Sequence, residues 1–338
     1  MAKSGSKANG ARMYRWRGKP ALALCVCTAA LIAQPAATIK VNVNLVRAVA
    51  TVKTQSGEIV GTLQKPDFDI YDNGVKQQIA VFEHQTDQKL SVALLVDISG
   101  STAKELAYES DSASRFLHAL LGEGNPEDAV KLWTFNWEVS EKTARYTRDL
   151  RQLSTILKTM QGSAGTAMYD AIFYAARDLE PREGRKVIVV VTDGGDTVSK
   201  HDVHAALQEA QLADAVIYAI VVVPITNEAG RNIGGEHALQ FMADGTGGRT
   251  FMPTIGAALD KAFTDILTEL RTQYLIGFYP RDVTPTKDPF HRLEVRVHNP
   301  DLRVSARNGY YGEVEGVSSS ADERISISPE RQQPKKKK

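Results

Sequence analysis

The stretch SVALLVDISGS, residues 91–101, decides the fold. It opens with a mostly apolar run of the length and composition that is typical of a strand buried on both faces of a parallel sheet. The run ends in Asp97, and Ser99 and Ser101 follow at alternate positions. Because open α/β sheets bind ligands at the carboxyl ends of their strands, this stretch predicts both the centre of a sheet and a site at its edge.

The same strand pattern recurs downstream, and helical periodicity fills the intervals. Further buried strands are predicted at 130–135, 186–192 and 215–223, with a short one at 249–252. Helices are predicted at 103–121, 149–160, 167–180, 202–213, 236–243 and 256–272. This alternation implies right-handed βαβ crossovers, so we expect an α/β fold with a doubly wound, mostly parallel, Rossmann-like sheet.

The chain is strand-like on both sides of this region. Between Ile39 and His84 apolar residues alternate, with a phase change near residue 45 that predicts a β-bulge, and Asn73-Gly74 predicts a hairpin turn. Three more strand-like stretches lie at 273–279, 290–298 and 302–307. Neither flank is long enough for a sandwich of its own, so we expect the two to pair into one small β-sandwich-like module.

The two ends of the chain differ from the middle. Residues 1–37 have the order of a signal peptide: a basic stretch, a short apolar run and small residues. The apolar run is shorter than the roughly 20 residues of a membrane-spanning helix, so we expect cleavage and export to the periplasm or the extracellular space. An uncleaved signal anchor in the inner membrane is the alternative. Residues 316–338 are polar and end in four lysines, which is typical of a disordered tail.

The expected organisation is a signal peptide at 1–37, β-rich flanks at 38–86 and 273–315, an α/β domain at 88–272 and a tail at 316–338. The whole chain is nearly neutral, with 41 Lys and Arg against 40 Asp and Glu. Because the two ends are basic, the body between them is acidic. An acidic body argues against nucleic acid as a partner, and no stable membrane span is expected after signal cleavage.

Oxygen-bearing side chains are predicted to meet at one edge of the sheet. Asp97 ends the first strand, Asp193 follows the strand at 186–192, and Thr166 precedes a helix. With Ser99 and Ser101 they offer two carboxylates and three hydroxyls, a set that suits Mg²⁺, Mn²⁺ or Ca²⁺. Because hydroxyls are neutral, a bound cation would keep enough charge to attract a further carboxylate.

The order of these residues resembles the metal-ion-dependent adhesion site of von Willebrand factor type A domains. The matching motifs are the DxSxS loop, the threonine of a GTA loop and the TDG that follows a hydrophobic strand. Over residues 38–312 the chain also resembles exported VWFA-related proteins common in Acidobacteria. The resemblance implies that the five residues are metal ligands, and that the cation binds an exposed Asp or Glu of a partner protein in adhesion.

An enzyme is not expected from this sequence. The chain has no GxSxG, HExxH or GxxxxGK[ST] motif, so three common catalytic arrangements lack their central residues. Two alternatives to protein binding stay open: a cation that only stiffens an envelope scaffold, and a cation that acts as a Lewis acid in hydrolysis.

Five further residues are not assigned a function. Asp196 is expected to be a loop acid rather than a metal ligand, and Trp133 is expected in the core. Trp137 is expected just beyond the second strand, and the sequence leaves open whether it lines the metal edge. His201 and His204, spaced i, i+3, are expected on the solvated surface of a helix.

Overall fold

The computed structural model describes residues 45–84, 88–100, 106–222, 232–254, 256–284 and 288–312. The predicted signal peptide and tail, and the first part of the strand with the predicted β-bulge, lie outside these ranges.

The strands are β1 Val46–Thr54, β2 Phe68–Asp72, β3 Val75–Gln77, β4 Ile79–His84, β5 Leu90–Asp97, β6 Ala129–Phe135, β7 Val139–Glu141, β8 Arg185–Thr192, β9 Ala215–Val221, β10 Arg249–Phe251, β11 Tyr274–Phe278, β12 Phe290–Val297, β13 Leu302–Ala306 and β14 Gly309–Tyr311. The helices are α1 Leu106–Glu123, α2 Leu150–Thr159, α3 Met168–Leu179, α4 Val203–Leu212, α5 Ile233–Thr246 and α6 Ala257–Thr272. Within the described ranges, no helix combines the length and the apolar character needed to cross a bilayer.

The central sheet has six strands in the order β10-β9-β8-β5-β6-β7. All neighbours are parallel except β7, which runs antiparallel to β6 at one edge. The four long parallel strands are buried along their whole length except at Lys186 of β8, which explains their largely apolar sequence. The predicted doubly wound, mostly parallel sheet is therefore confirmed.

Both faces of this sheet are covered by helices. Alternate residues of β5 point to opposite faces: Leu94 packs with α1, α2 and α6, whereas Leu95 packs with α3, α4 and α5. The result is a three-layer α/β/α domain in which the carboxyl ends of the five parallel strands lie at one common edge.

The flanks of the chain form a second core. Strands β13-β1-β11-β4 and β14-β12-β2-β3 make two four-stranded antiparallel sheets. Their inner faces share one apolar cluster, in which Ala50 of β1, Ile70 of β2 and Ile276 of β11 are fully buried. The N- and C-terminal flanks thus pair into a sandwich-like module, as the sequence predicted.

The hairpin between β2 and β3 has the predicted two-residue turn. Asp72 pairs with Val75, and the intervening Asn73 and Gly74 have φ angles of 46° and 82°. Two positive φ values in succession define the type I′ turn that matches the twist of antiparallel strands. The backbone of Arg292 on β12 also bonds to Asn73, which ties the turn to the next strand.

Helix α5 is longer than its predicted span of 236–243. The Asn232 side chain accepts a hydrogen bond from the backbone N–H of Gly235 at 2.8 Å and so caps the helix. Gly247, with a φ of 80°, ends the helix in the left-handed conformation. The pair Gly234-Gly235 has low helical propensity, which concealed the first turn from sequence reasoning.

Candidate functional site

Asp97 lies at the centre of the sheet edge where a site was predicted. It ends β5 beside the last residues of β8, and its side chain is 0% exposed. One carboxylate oxygen accepts a hydrogen bond from the Thr192 hydroxyl at 2.6 Å, and the other accepts one from the Ser99 backbone N–H at 2.7 Å. These two bonds fix the orientation of the carboxylate at the edge.

The surroundings of Asp97 disfavour its negative charge. Burial raises the pKa of Asp97 to about 6, although hydrogen bonds from Thr192 and Ser99 lower it. The carboxylate of Asp193, in the first loop residue after β8, adds a further upward contribution to this pKa. The two predicted carboxylate ligands therefore lie close enough to repel each other.

Ser99 and the loop before α3 are joined at this edge. Ser99 is buried and forms a parallel bridge with Ser163, whose backbone N–H donates to the carbonyl of Ile98 at 2.9 Å. Farther along the same loop, the backbone N–H of Ala167 donates to the carbonyl of Asn136, just after β6, at 2.6 Å. The loop is thus held between β5 and β6.

Thr166 is buried and fixed by its backbone. Its N–H donates to the Thr197 hydroxyl, and its carbonyl accepts from the Thr197 N–H, both at 2.9 Å. Thr197 belongs to the loop that begins with Asp193, so this pair of bonds joins the second and third segments of the predicted site.

Four of the five predicted ligands therefore lie on three neighbouring segments at one edge of the sheet. Ser101, the fifth, lies outside the described residues. No group of three or more His, Cys, Asp or Glu side chains suited to a metal is found in the described ranges. The predicted set is of another kind, because only two of its members are carboxylates and the others are hydroxyls.

Asp196 holds the loop to helix α3. Its carboxylate accepts hydrogen bonds from the backbone N–H of Tyr169 at 3.2 Å and from the Ser199 hydroxyl at 2.5 Å. These bonds satisfy an otherwise free donor in the first turn of the helix. The expectation that Asp196 is a loop acid agrees with this role.

Trp137 lines the edge, a position that the sequence left open. It is 60% exposed and packs on Gly165, where an added Cβ would lie 2.9 Å from the Cβ of Trp137. A groove of about 750 Å³ adjoins it, with Tyr174, Val198 and Lys200 among its walls. Trp133, in contrast, is buried in the core as predicted.

Gly235 also shapes the edge, and sequence reasoning missed it. An added Cβ at Gly235 would fall 1.1 Å from the carbonyl oxygen of Gly194. The first turn of α5 therefore contacts the backbone of the loop that carries Asp193. The adjacent glycines at 234 and 235 were the available signal in the sequence.

The predicted placement of His201 was wrong. His201 precedes α4, because Asp202 caps the helix by accepting a hydrogen bond from the Ala205 N–H. The His201 ring stacks on Phe173 with centroids 3.8 Å apart, and its Nδ1 lies 2.6 Å from an oxygen of Asp170. His201 and His204 therefore do not share one solvated helix face.

The chain was also compared with known proteins. A conserved hypothetical protein BatB from Bacteroides thetaiotaomicron is 21% identical, with a TM-score of 0.43 over 54% of this chain and 98% of that one. The vWF domain of the type V pili tip protein Mfa5 from Porphyromonas gingivalis is 13% identical, with a TM-score of 0.45 over 59% and 99%. A von Willebrand factor type A protein from Catenulispora acidiphila is 14% identical, with a TM-score of 0.47 over 75% and 64%.

No curated protein matches the chain. The sequence model of the von Willebrand factor type A domain, VWA, matches residues 91–263. This segment runs from β5, which carries Asp97, into α6, and so includes every part of the sheet edge described above. Since the match covers just over half of the sequence, the chain belongs to the von Willebrand factor type A domain family.

Proposed function

We propose that this protein is an exported, non-enzymatic adhesion module that binds a partner protein through a divalent cation. Asp97, Ser99, Ser101, Thr166 and Asp193 would hold the cation. Mg²⁺ is the proposed ion, with Mn²⁺ or Ca²⁺ as alternatives. When bound, the cation would supply a positive centre for an exposed Asp or Glu of the partner.

The arrangement around Asp97 carries this proposal. The carboxylate of Asp97 is fully buried and the charge of Asp193 raises its pKa further, so a cation bound by both would offset an unfavourable charge. Buried hydroxyl-bearing residues, Ser99 and Thr166, lie on the adjoining segments. These oxygen donors fit a hard cation and do not fit zinc or copper.

The exposed surface beside the site also supports protein binding. Trp137 and Val198 are exposed and line the groove next to the edge, where they offer apolar area to a partner. Aromatic side chains of this kind are enriched in protein interfaces. Domains of this family mediate protein interactions, which agrees with the proposal.

His201 lies close to the proposed site but is not one of its five ligands. His201 follows the loop of Asp193 in the sequence, and its Nδ1 is engaged by Asp170 while its ring is stacked on Phe173. These contacts hold the segment that follows the Asp193 loop against α3, which contributes both Asp170 and Phe173.

Metal-dependent capture tests the proposal. The protein lacking residues 1–37 is immobilised and exposed to envelope proteins of the source cells, in Mg²⁺ or in EDTA. We expect capture in Mg²⁺ only, and about tenfold less with Asp97→Asn. Treating the envelope proteins with carbodiimide and ethanolamine, which blocks carboxylates, should abolish it. Asp196→Asn, which changes a nearby acid outside the donor set, is the control and should capture normally.

Three outcomes would contradict the proposal. Capture that survives EDTA would remove the role of the cation, and capture that survives carboxylate blocking would remove the role of the partner's acid. In the third outcome the wild type captures nothing, and Asp97→Asn is less stable than the wild type in Mg²⁺ but equally stable in EDTA. The cation would then only stiffen a scaffold.

A further inference from the structure

A second cavity lies on the opposite side of the sheet from the proposed metal site. It has a volume of about 390 Å³ and lies at the amino ends of β8 and β9. Its walls come from both parts of the fold: Arg182 and Lys186 belong to the VWA domain, whereas Arg47 and Leu275 belong to the β-module. A ligand in this cavity would therefore contact both.

The walls of the cavity carry excess positive charge. Five cationic side chains line it, against the two acids Glu183 and Asp214. Both acids already have partners, since Glu183 lies 3.3 Å from Lys89 and Asp214 is paired with Arg307. The remaining cations of the walls are Arg47, Arg182, Arg185 and Lys186.

The described part of the chain offers no carboxylate within ion-pair distance to three of these cations. Arg182 donates from Nε to the Ser91 hydroxyl at 3.0 Å, and Lys186 donates from Nζ to the carbonyl of Glu180 at 2.6 Å. Both acceptors are neutral. Arg47 is exposed, and its guanidinium group forms no hydrogen bond to any described residue. None of these three cations in the cavity wall therefore forms an ion pair with a described carboxylate, although the Arg182 guanidinium also lies over the Tyr146 ring.

Burial makes this charge costly. Burial lowers the pKa of Lys186; the charges of Asp214 and Glu180 raise it in part, and the positive charge of Arg47 lowers it again. Arg185 is almost fully buried and donates to the carbonyl of Leu270 and the side chain of Gln273, two neutral acceptors. Its Nε finds no hydrogen-bond partner among the described residues. A bound anion would offset these charges.

We propose that this cavity binds a small, multiply charged organic anion bearing phosphate or carboxylate groups. Guanidinium groups bind both oxyanions through paired hydrogen bonds, and a lysine adds a compact charge. The volume falls within the usual range of small-molecule sites. Because the walls belong to two parts of the fold, a bound anion would contact both the VWA domain and the β-module and so stabilise their packing.

Calorimetric titration of the purified protein with pyrophosphate and with citrate, in metal-free buffer at low salt, tests this site. We expect saturable binding of at least one of them, at one site per chain and weakened by added NaCl. Arg47→Gln and Lys186→Gln should each weaken binding about tenfold. Tighter binding of pyrophosphate would assign the ligand to phosphates, and tighter binding of citrate to carboxylates.

Arg151→Gln is the matched control, because Arg151 is an exposed arginine on α2 that is not part of the cavity. It should bind the anion as the wild type does. The proposal would be overturned if neither anion binds saturably, or if the cavity variants bind like the wild type. It would also be overturned if Arg151→Gln weakens binding as much as they do. Arg47 is exposed, so its substitution leaves the fold intact, as circular dichroism can verify.

Discussion

A substitution at Gly74 tests the conformation of the turn between β2 and β3. Its φ of 82° favours glycine, and an added Cβ would meet nothing within 4 Å, so the effect of Gly74→Ala comes from the backbone alone. We expect this substitution to lower the free energy of unfolding by about 1 kcal/mol. Urea denaturation would measure the change.

Gly122→Ala provides the matched control. Gly122 lies near the end of α1 without a positive φ, and an added Cβ would again meet nothing within 4 Å. Because alanine has the higher helical propensity, we expect an unchanged or raised stability, by up to about 1 kcal/mol. If the two substitutions shift the urea midpoint in the same direction, the turn conformation assigned to Gly74 is wrong.

At the level of single residues, the sequence predicted those whose role depends on local pattern. Asp97 was placed at a strand end because an apolar run stops there, and Trp133 was placed in the core for the same kind of reason. Trp137 and His201 depend on contacts with residues distant in the sequence, Gly165 and Phe173. No local periodicity reports such contacts, so one position stayed open and the other was wrong.

Among the elements, the long buried strands and the short edge strand β10 were predicted, whereas the edge strands β7 and β14 were not. β5, β6, β8 and β9 have apolar runs that match their burial. β7 and β14 have three residues each and depend on pairing with β6 and β12. These two segments are too short to show a periodicity, so only their partners reveal them as strands.

Polar side chains at the end of α6 contact both parts of the fold, and the sequence did not reveal these contacts. Gln273, just after the helix, donates to the hydroxyls of Thr51 and Tyr218, each at 2.9 Å. Glu269 pairs with Lys53 of β1 and with Arg249 of β10. These buried polar groups satisfy one another across the boundary, so α6 and the β-module are held in one arrangement.

For the whole molecule, the division into an inserted domain and a paired β-module stays a prediction. His84, at the end of β4, lies directly opposite Tyr274, at the start of β11. An Asn-Gly turn could therefore join the two strands and replace the intervening VWA domain. We expect residues 45–84 joined in this way to 274–312 to fold, because the sandwich has its own apolar cluster.

The shortened chain should unfold cooperatively in urea and give dispersed amide signals in NMR spectra. It should be less stable than the full chain, since the contacts of Gln273 and Glu269 are lost. Ile276→Asp, which places a charge in the shared cluster, is the control and should abolish folding. A shortened chain as unfolded as this variant would refute the independent module.

The proposed binding of a divalent cation at the edge of the sheet is tested most directly by titrating the metal-free protein with Mg²⁺ in a calorimeter. Asp97→Asn keeps the size of the side chain and removes its charge, while Asp196→Asn changes an acid that caps α3. We expect one Mg²⁺ per chain for the wild type and for Asp196→Asn, and affinity lowered by more than about tenfold for Asp97→Asn. No binding by the wild type, or equal binding by Asp97→Asn with its fold intact, would contradict the account.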